Sequence, residues 1–263
     1  MEFEARTHSA GEVLDAALDL VRGHAVVLIG LAALVHVPIA LLLPAVDSAQ
    51  ASADPIAALR GAAPALLYAL LVSPILGIAL IAALGELTRG RAARFGAALR
   101  SGVALLVPVV WASTLVLGLA LLACLPLVVV AALGPQLPGL VRVLAIAAGA
   151  VLPLLVALRF LLLGQVVVIE GARGVGALRR SAELVRGSVP RCFGILLLGA
   201  LITGALGAGV RLALGWLPVA GELLVGIAQS VGLAYTTALG VVLYLDQRAR
   251  RGEPPLGQPL SGA

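Results

Sequence analysis

Residues 170–193, EGARGVGALRRSAELVRGSVPRCF, decide how the chain is read. They carry five of its eighteen basic residues, Arg173, Arg179, Arg180, Arg186 and Arg191, and separate two long apolar runs. The spacing predicts a helix from Gly174, with Val175, Leu178, Ala182 and Val185 on one face and Arg179, Glu183 and Arg186 on the opposite one. Such a helix is too polar to cross a bilayer. Joined directly to an apolar run, it lies most simply in the membrane interface, apolar face down and guanidinium groups among lipid phosphates.

The composition points the same way. Of 263 residues 61% are hydrophobic and 12% charged, and the mean hydropathy is +1.12, which a soluble domain with a polar surface to cover could not sustain. The expectation is an integral membrane protein. Every basic residue is arginine, and nearly all lie between apolar runs, so anionic membrane lipid is the expected partner. A pI of 10.2 raises nucleic acid as a partner. That role needs a solvated basic face with aromatics for stacking bases, whereas the four Phe, three Tyr and two Trp are scattered through apolar segments. Cys124 and Cys192 fall near opposite membrane faces in the topology below, which argues against a disulfide and a two-cysteine metal site.

Near the start, Ser9 and Glu12 read as a capping box for a first amphipathic helix. Val13, Leu14, Ala17, Leu18 and Val21 line one side of it, and Glu12, Asp15, Asp19 and Arg22 the other. Residues 24–44 form a first span. Ala49-Gln50-Ala51 looks like a cleavage site, but the apolar core exceeds that of a signal peptide and the residues before it are acidic, so the span is expected to be retained. A polar connection over residues 46–61, with Asp47, Asp54, Pro55 and Arg60, leads to a second span at 62–84. A second basic amphipathic helix over 89–102 places Ala92, Phe95, Leu99 and Val103 on a face away from Arg91 and Arg94. Residues 103–133 are a third span with Pro108 and Pro126 at frayed ends, and GPQLPG at 134–139 is a tight turn into a fourth at 140–163. Spans at 192–214 and 222–245 complete an all-α protein of six transmembrane helices.

Only Arg60, Arg142 and Arg211 of the eighteen arginines fall on one side of this topology, which puts both termini in the cytoplasm of a bacterial inner membrane. Interfacial helix, span, turn and span recur three times, over roughly 9–85, 86–165 and 166–251 of a single membrane domain, followed by a disordered tail at 252–263. Leu20-Val21-Arg22-Gly23, Leu99-Arg100-Ser101-Gly102 and Leu184-Val185-Arg186-Gly187 occupy the equivalent joints, and Gly30 and Gly194 share a register after them. The joint glycines are expected to be left-handed caps that turn the chain into the bilayer.

At these residues the chain resembles the bacterial family named for the membrane domain of glycerophosphoryl diester phosphodiesterases, many of whose members stand alone. The pattern lies in Gly11-Glu12-Val13-Leu14-Asp15 and in Glu170 followed by Ala177-Leu178, Arg180-Ser181, Leu184, Gly187, Arg191 and Phe193. It ends with the closing Tyr244-Leu245-Asp246-Gln247-Arg248-Ala249-Arg250-Arg251. The resemblance implies a membrane domain without established activity. The phosphodiesterase catalytic domain that some members carry has no room here, because the six spans use up the chain.

No HExxH, GxSxG, phosphate loop or Cys/His metal spacing is present, so no catalytic, cofactor or metal residue is expected and the protein is not read as an enzyme. His36, inside the first span beside Pro38, is either a functional group at membrane depth or a neutral imidazole bonded to the carbonyl that the proline frees. Glu170 is expected to pair with Arg173, and Arg211 with Glu222 across the last outer turn. Arg91, Arg94, Arg179, Arg180, Arg186 and Arg191 are candidates for lipid headgroups. Gly199, Thr203, Gly204 and Gly207 on the fifth span, and Ala228, Gly232, Thr236 and Gly240 on the sixth, form small-residue stripes for helix packing. With Gln229 and Ser230 the same stripes could form a substrate groove.

Two functions fit. One is a non-enzymatic membrane scaffold or lipid-associated module; the other is a small transporter or lipid translocator, whose signature is a pair of corresponding broken helices with polar groups at mid-membrane. Ser73-Pro74 and Gln229-Ser230 are the hints of the second.

Overall fold

A computed structural model describes residues 8–50, 55–133, 136–254 and 256, and among these there are helices and turns but no strand. In chain order the helices are α1 (Ala10–Gly23), α2 (Ala25–Gln50), α3 (Pro55–Leu67), α4 (Ser73–Thr88), α5 (Phe95–Ala104), α6 (Leu106–Ala123) and α7 (Leu125–Leu133). They continue with α8 (Gly139–Arg159), the single turn α9 (Leu163–Gln165), α10 (Gly174–Val185), α11 (Val189–Leu214) and α12 (Pro218–Arg250). Six stretches are long and apolar enough to cross a membrane: Ala25–Leu42, Arg60–Thr88, Leu106–Leu133, Gly139–Glu170, Val189–Leu214 and Ala220–Arg250. The chain is all-helical with six candidate spans, as its hydropathy predicts.

Local chemistry explains several of these boundaries. Ser9 and Glu12 close the predicted capping box: the Glu12 amide donates to Ser9 Oγ at 3.3 Å and the Ser9 amide to Glu12 Oε2 at 2.6 Å. In the second span Pro74 has no N–H to give the preceding turn. The chain absorbs the loss in a π-helical turn, Tyr68–Val72, and continues as α4 without a break. In the third span Pro126 does the same damage to the turn before it, and the helix stops at Cys124 and restarts as α7. Pro126 thus marks an interruption inside the span and not its end.

Other expectations need correction. The polar connection at 46–61 contracts, because α2 runs to Gln50 and α3 starts at Pro55; Asp54 lies outside the described residues. The second short helix is α5, starting at Phe95, since Arg89 ends α4 and Gly90 turns the chain at φ +72°. The fourth span continues past 163 through a π-helical turn, Val166–Glu170. Of the turn at 134–139, Gly134 and Pro135 lie outside the described residues, as does the tail apart from 252–254 and 256. Among the joint glycines only Gly187, at φ +84°, is left-handed; Gly23 and Gly102 keep helical geometry. Gly102 instead provides room: a Cβ there would collide with the Ile75 carbonyl oxygen and come within 3.2 Å of Ala79 Cβ, so its lack of a side chain sets how closely α5 approaches α4.

The chain divides into two compact units, residues 1–106 with 194–263 and residues 107–193, a division that cuts across the boundaries at 85/86 and 165/166. In the first unit α12 packs on α1 and α2, and α4 on α2 and α5. Gly226 allows the close approach of α12 to α2, with a hypothetical Cβ 3.1 Å from Ala40 Cβ and 3.5 Å from the His36 carbonyl oxygen. In the second unit α7 packs on α8, where Gly149 makes room for Leu127.

Candidate functional site

The first unit contains a cavity of about 380 Å³ between α2, α11 and α12. His36, Thr203, Gln229 and Thr236 give it its polar groups, and Gly204 and Gly232 give it space. His36 lies eleven residues into α2, about 16 Å along its axis, and its Nδ1 is buried without a hydrogen-bond partner. The expected bond to the carbonyl freed by Pro38 is not made. That carbonyl belongs to Leu34, and residues two apart on a helix point to nearly opposite sides; the Tyr68 hydroxyl, from the π-helical turn, donates to it instead.

The small-residue stripes of α11 and α12 meet at part of their length. A Cβ on Gly232 would lie 3.1 Å from Thr203 Cβ, one on Gly199 would collide with the Leu239 side chain, and one on Gly207 would lie 3.9 Å from Gln229 Cγ. The Thr203 and Thr236 hydroxyls donate back to the Gly199 and Gly232 carbonyls at 3.0 and 2.9 Å, and Thr203 turns its methyl to α12, 3.5 Å from a Cβ on Gly232. Gly204 does not belong to the contact: nothing lies within 4 Å of a Cβ there, because it faces the cavity. Ala228 is half-buried and Gly240 buried. α12 runs unbroken past Gln229 and Ser230, whose hydroxyl donates to the Gly226 carbonyl at 2.6 Å.

A second polar group joins the two ends of this unit. Asp246 is fully buried; its Oδ1 accepts from the His8 amide at 2.8 Å and its Oδ2 from Arg250 Nε at 2.9 Å. Arg250 Nη2 donates in turn to the His8 carbonyl at 2.7 Å, so carboxylate and guanidinium together hold the segment leading into α1. Arg248 lies 5.9 Å from the Tyr244 ring centroid and donates to Glu253 Oε2 at 2.8 Å.

The arginines divide by partner. Glu170 pairs with Arg180, and not with Arg173, through contacts of 2.9 to 3.1 Å that engage both carboxylate oxygens. Ten residues on, Arg180 comes around one side of α10 to the end of the preceding π-helical turn. Arg91 donates to Glu86, which also receives Arg89. Arg211 and Glu222 pair as expected, at 3.3 Å. Arg186 ends α10, and Arg191 is half-buried in the first turn of α11. Arg94 and Arg179 make no ion pair among the described residues. Cys124 and Cys192 form no disulfide, and Cys192 Sγ lies 3.6 Å from Ser188 Oγ.

No protein family, curated protein or solved structure matches the chain.

The orientation of the short helices differs from the sequence pattern in an informative way. α5 buries Ala98 and Gly102 and leaves Phe95 40% and Val103 61% exposed. α10 buries Ala177, Ser181, Ala182, Leu184 and Val185, while Val175 is 66% exposed. Small residues thus make much of the contact with the protein, and part of each apolar face is left outward. In α1 the buried residues, Val13, Ala17 and Val21, are those of the predicted apolar face.

Proposed function

We propose that the protein is a non-enzymatic, lipid-associated module of a bacterial inner membrane, a stand-alone relative of the membrane-domain family that its motifs resemble. Six spans form three two-span repeats, each preceded by an amphipathic helix in the cytoplasmic interface. The observation that carries this reading is the outward set of large apolar residues and arginines at α5 and α10: Phe95, Val103 and Val175 are exposed, and Arg94 and Arg179 make no ion pair among the described residues. A helix with both at the edge of a span is stabilised by acyl chains below it and anionic headgroups beside it.

The repeat reading is supported by the order of a short helix before two candidate spans, which occurs three times. It is also supported by a left-handed glycine after the second span each time: Gly90, Gly171 and Gly252, at φ +72°, +72° and +69°. The arginine bias supports cytoplasmic termini. Reporters fused after Arg251 and between residues 50 and 55 are therefore expected on opposite sides of the membrane, and finding both on one side would end the six-span topology.

The cavity around His36 favours a second reading, a small transporter or lipid translocator, because a buried ring nitrogen without a partner, His36 Nδ1, is costly unless something occupies the space. Mass spectrometry of lipids carried through gentle purification separates the two. A mixture enriched in anionic species is expected for the module; one zwitterionic or neutral species at a fixed ratio would favour translocation.

A further inference from the structure

The second compact unit contains a pocket of about 440 Å³ where α10 meets the end of α8. Three arginines line it: Arg159, the last residue of α8, and Arg179 and Arg186 from α10 and its cap. Glu183 lies among them, and Phe160, Val175 and Leu178 supply apolar surface. Arg159 and Arg179 have no hydrogen-bond or ion-pair partner among the described residues. The pocket therefore carries two positive charges beyond what Glu183 offsets, next to apolar side chains, one of them the exposed Val175.

The position matches the chemistry. The 21 residues of α8 alone rise about 30 Å, the thickness of a bilayer's hydrocarbon layer, and the helix breaks at the turn of residues 160–162. By itself α8 thus carries Arg159 to the level of the phosphates, and the rest of the apolar stretch, to Glu170, need not lie within that layer. A free anion would find the charge but would leave Phe160, Val175 and Leu178 wet; a lipid satisfies both. We propose that this pocket binds one molecule of a glycerophospholipid with two phosphates, of the cardiolipin type, with phosphates on Arg159, Arg179 and Arg186 and acyl chains along Val175 and Leu178. The proposal rests on the lipid-associated reading above and names the lipid and the place.

Native mass spectrometry of the full chain, titrated with tetraoleoyl cardiolipin, dioleoyl phosphatidylglycerol or dioleoyl phosphatidylcholine, tests it. One cardiolipin per chain is expected to bind more tightly than either other lipid and to resist displacement by inorganic phosphate. Arg159→Gln and Arg179→Gln should each weaken it about fivefold. Arg22→Gln, on the exposed side of α1 in the first unit, should leave it unchanged. Arg179 lies on an exposed helix face and keeps the test open should Arg159→Gln fail to fold. Cardiolipin binding that survives both substitutions overturns the pocket, although a remaining preference for anionic lipid would leave the broader reading intact. Displacement by inorganic phosphate overturns the lipid assignment, and equal binding of all three lipids overturns both readings.

Discussion

Asp246→Ala is expected to destabilise the protein by about 3 kcal/mol, because it leaves Arg250 and the His8 amide without their buried acceptor. Removing one member of a buried pair costs more than the pair contributes, since the other keeps its desolvation penalty. Arg250 is one-third exposed, so water recovers part of the loss on that side. Asp246→Asn should cost less, because its carboxamide oxygen can still accept from the His8 amide. Thermal unfolding of the full chain in detergent measures both. Alanine melting at the wild-type temperature would show that the carboxylate is dispensable.

The second large effect is one of sign. Gly102→Ala is expected to destabilise by about 1 to 3 kcal/mol, since the new methyl meets the Ile75 carbonyl, a backbone atom that no rotamer change can move. Gly96→Ala, six residues earlier on the same helix, has open space and should stabilise by about 0.5 to 1 kcal/mol through helix propensity alone. If Gly102→Ala stabilised as Gly96→Ala does, the close approach of α5 to α4 would be wrong.

The six candidate spans were legible because an apolar run of that length has few other uses. The buried faces of α5 and α10 were not. Periodicity identifies which residues are apolar, but next to lipid an apolar residue gains nothing by turning inward, so contact is decided by shape. Ala98, Gly102, Ala177 and Ser181 fit against the protein, and Phe95 and Val175 do not have to. The cavity was half legible: Thr203, Gly204, Gln229, Gly232 and Thr236 stand out in sequence, but that they share a cavity with His36 depends on how α2 lies against α12. Asp246 belongs to the closing motif, but the motif does not show that its side chain is buried. The available signal was the Asp246/Arg250 spacing of four at the end of a span, where a local ion pair lets a carboxylate be buried. Gly90, Gly171 and Gly252 follow the ends of spans and not the short helices, and in a chain with 31 glycines nothing in the sequence sets those three apart.

The first unit is made from both ends of the chain, and the contact between His8 and Asp246 closes 238 residues of separation. Closing so large a loop adds little to the equilibrium cost, because that entropy grows only with the logarithm of length. The consequence is one of timing. At about 5 to 20 residues per second the ribosome takes roughly 10 to 50 s to travel from His8 to Asp246. During that interval α1 and α2 exist without the helix that packs on both of them. The Ser9 and Glu12 cap is local and can form at once, so α1 can be a helix long before it has its partner. What holds it in place until then is the membrane or the insertion machinery, and α12 completes the unit that α1 began.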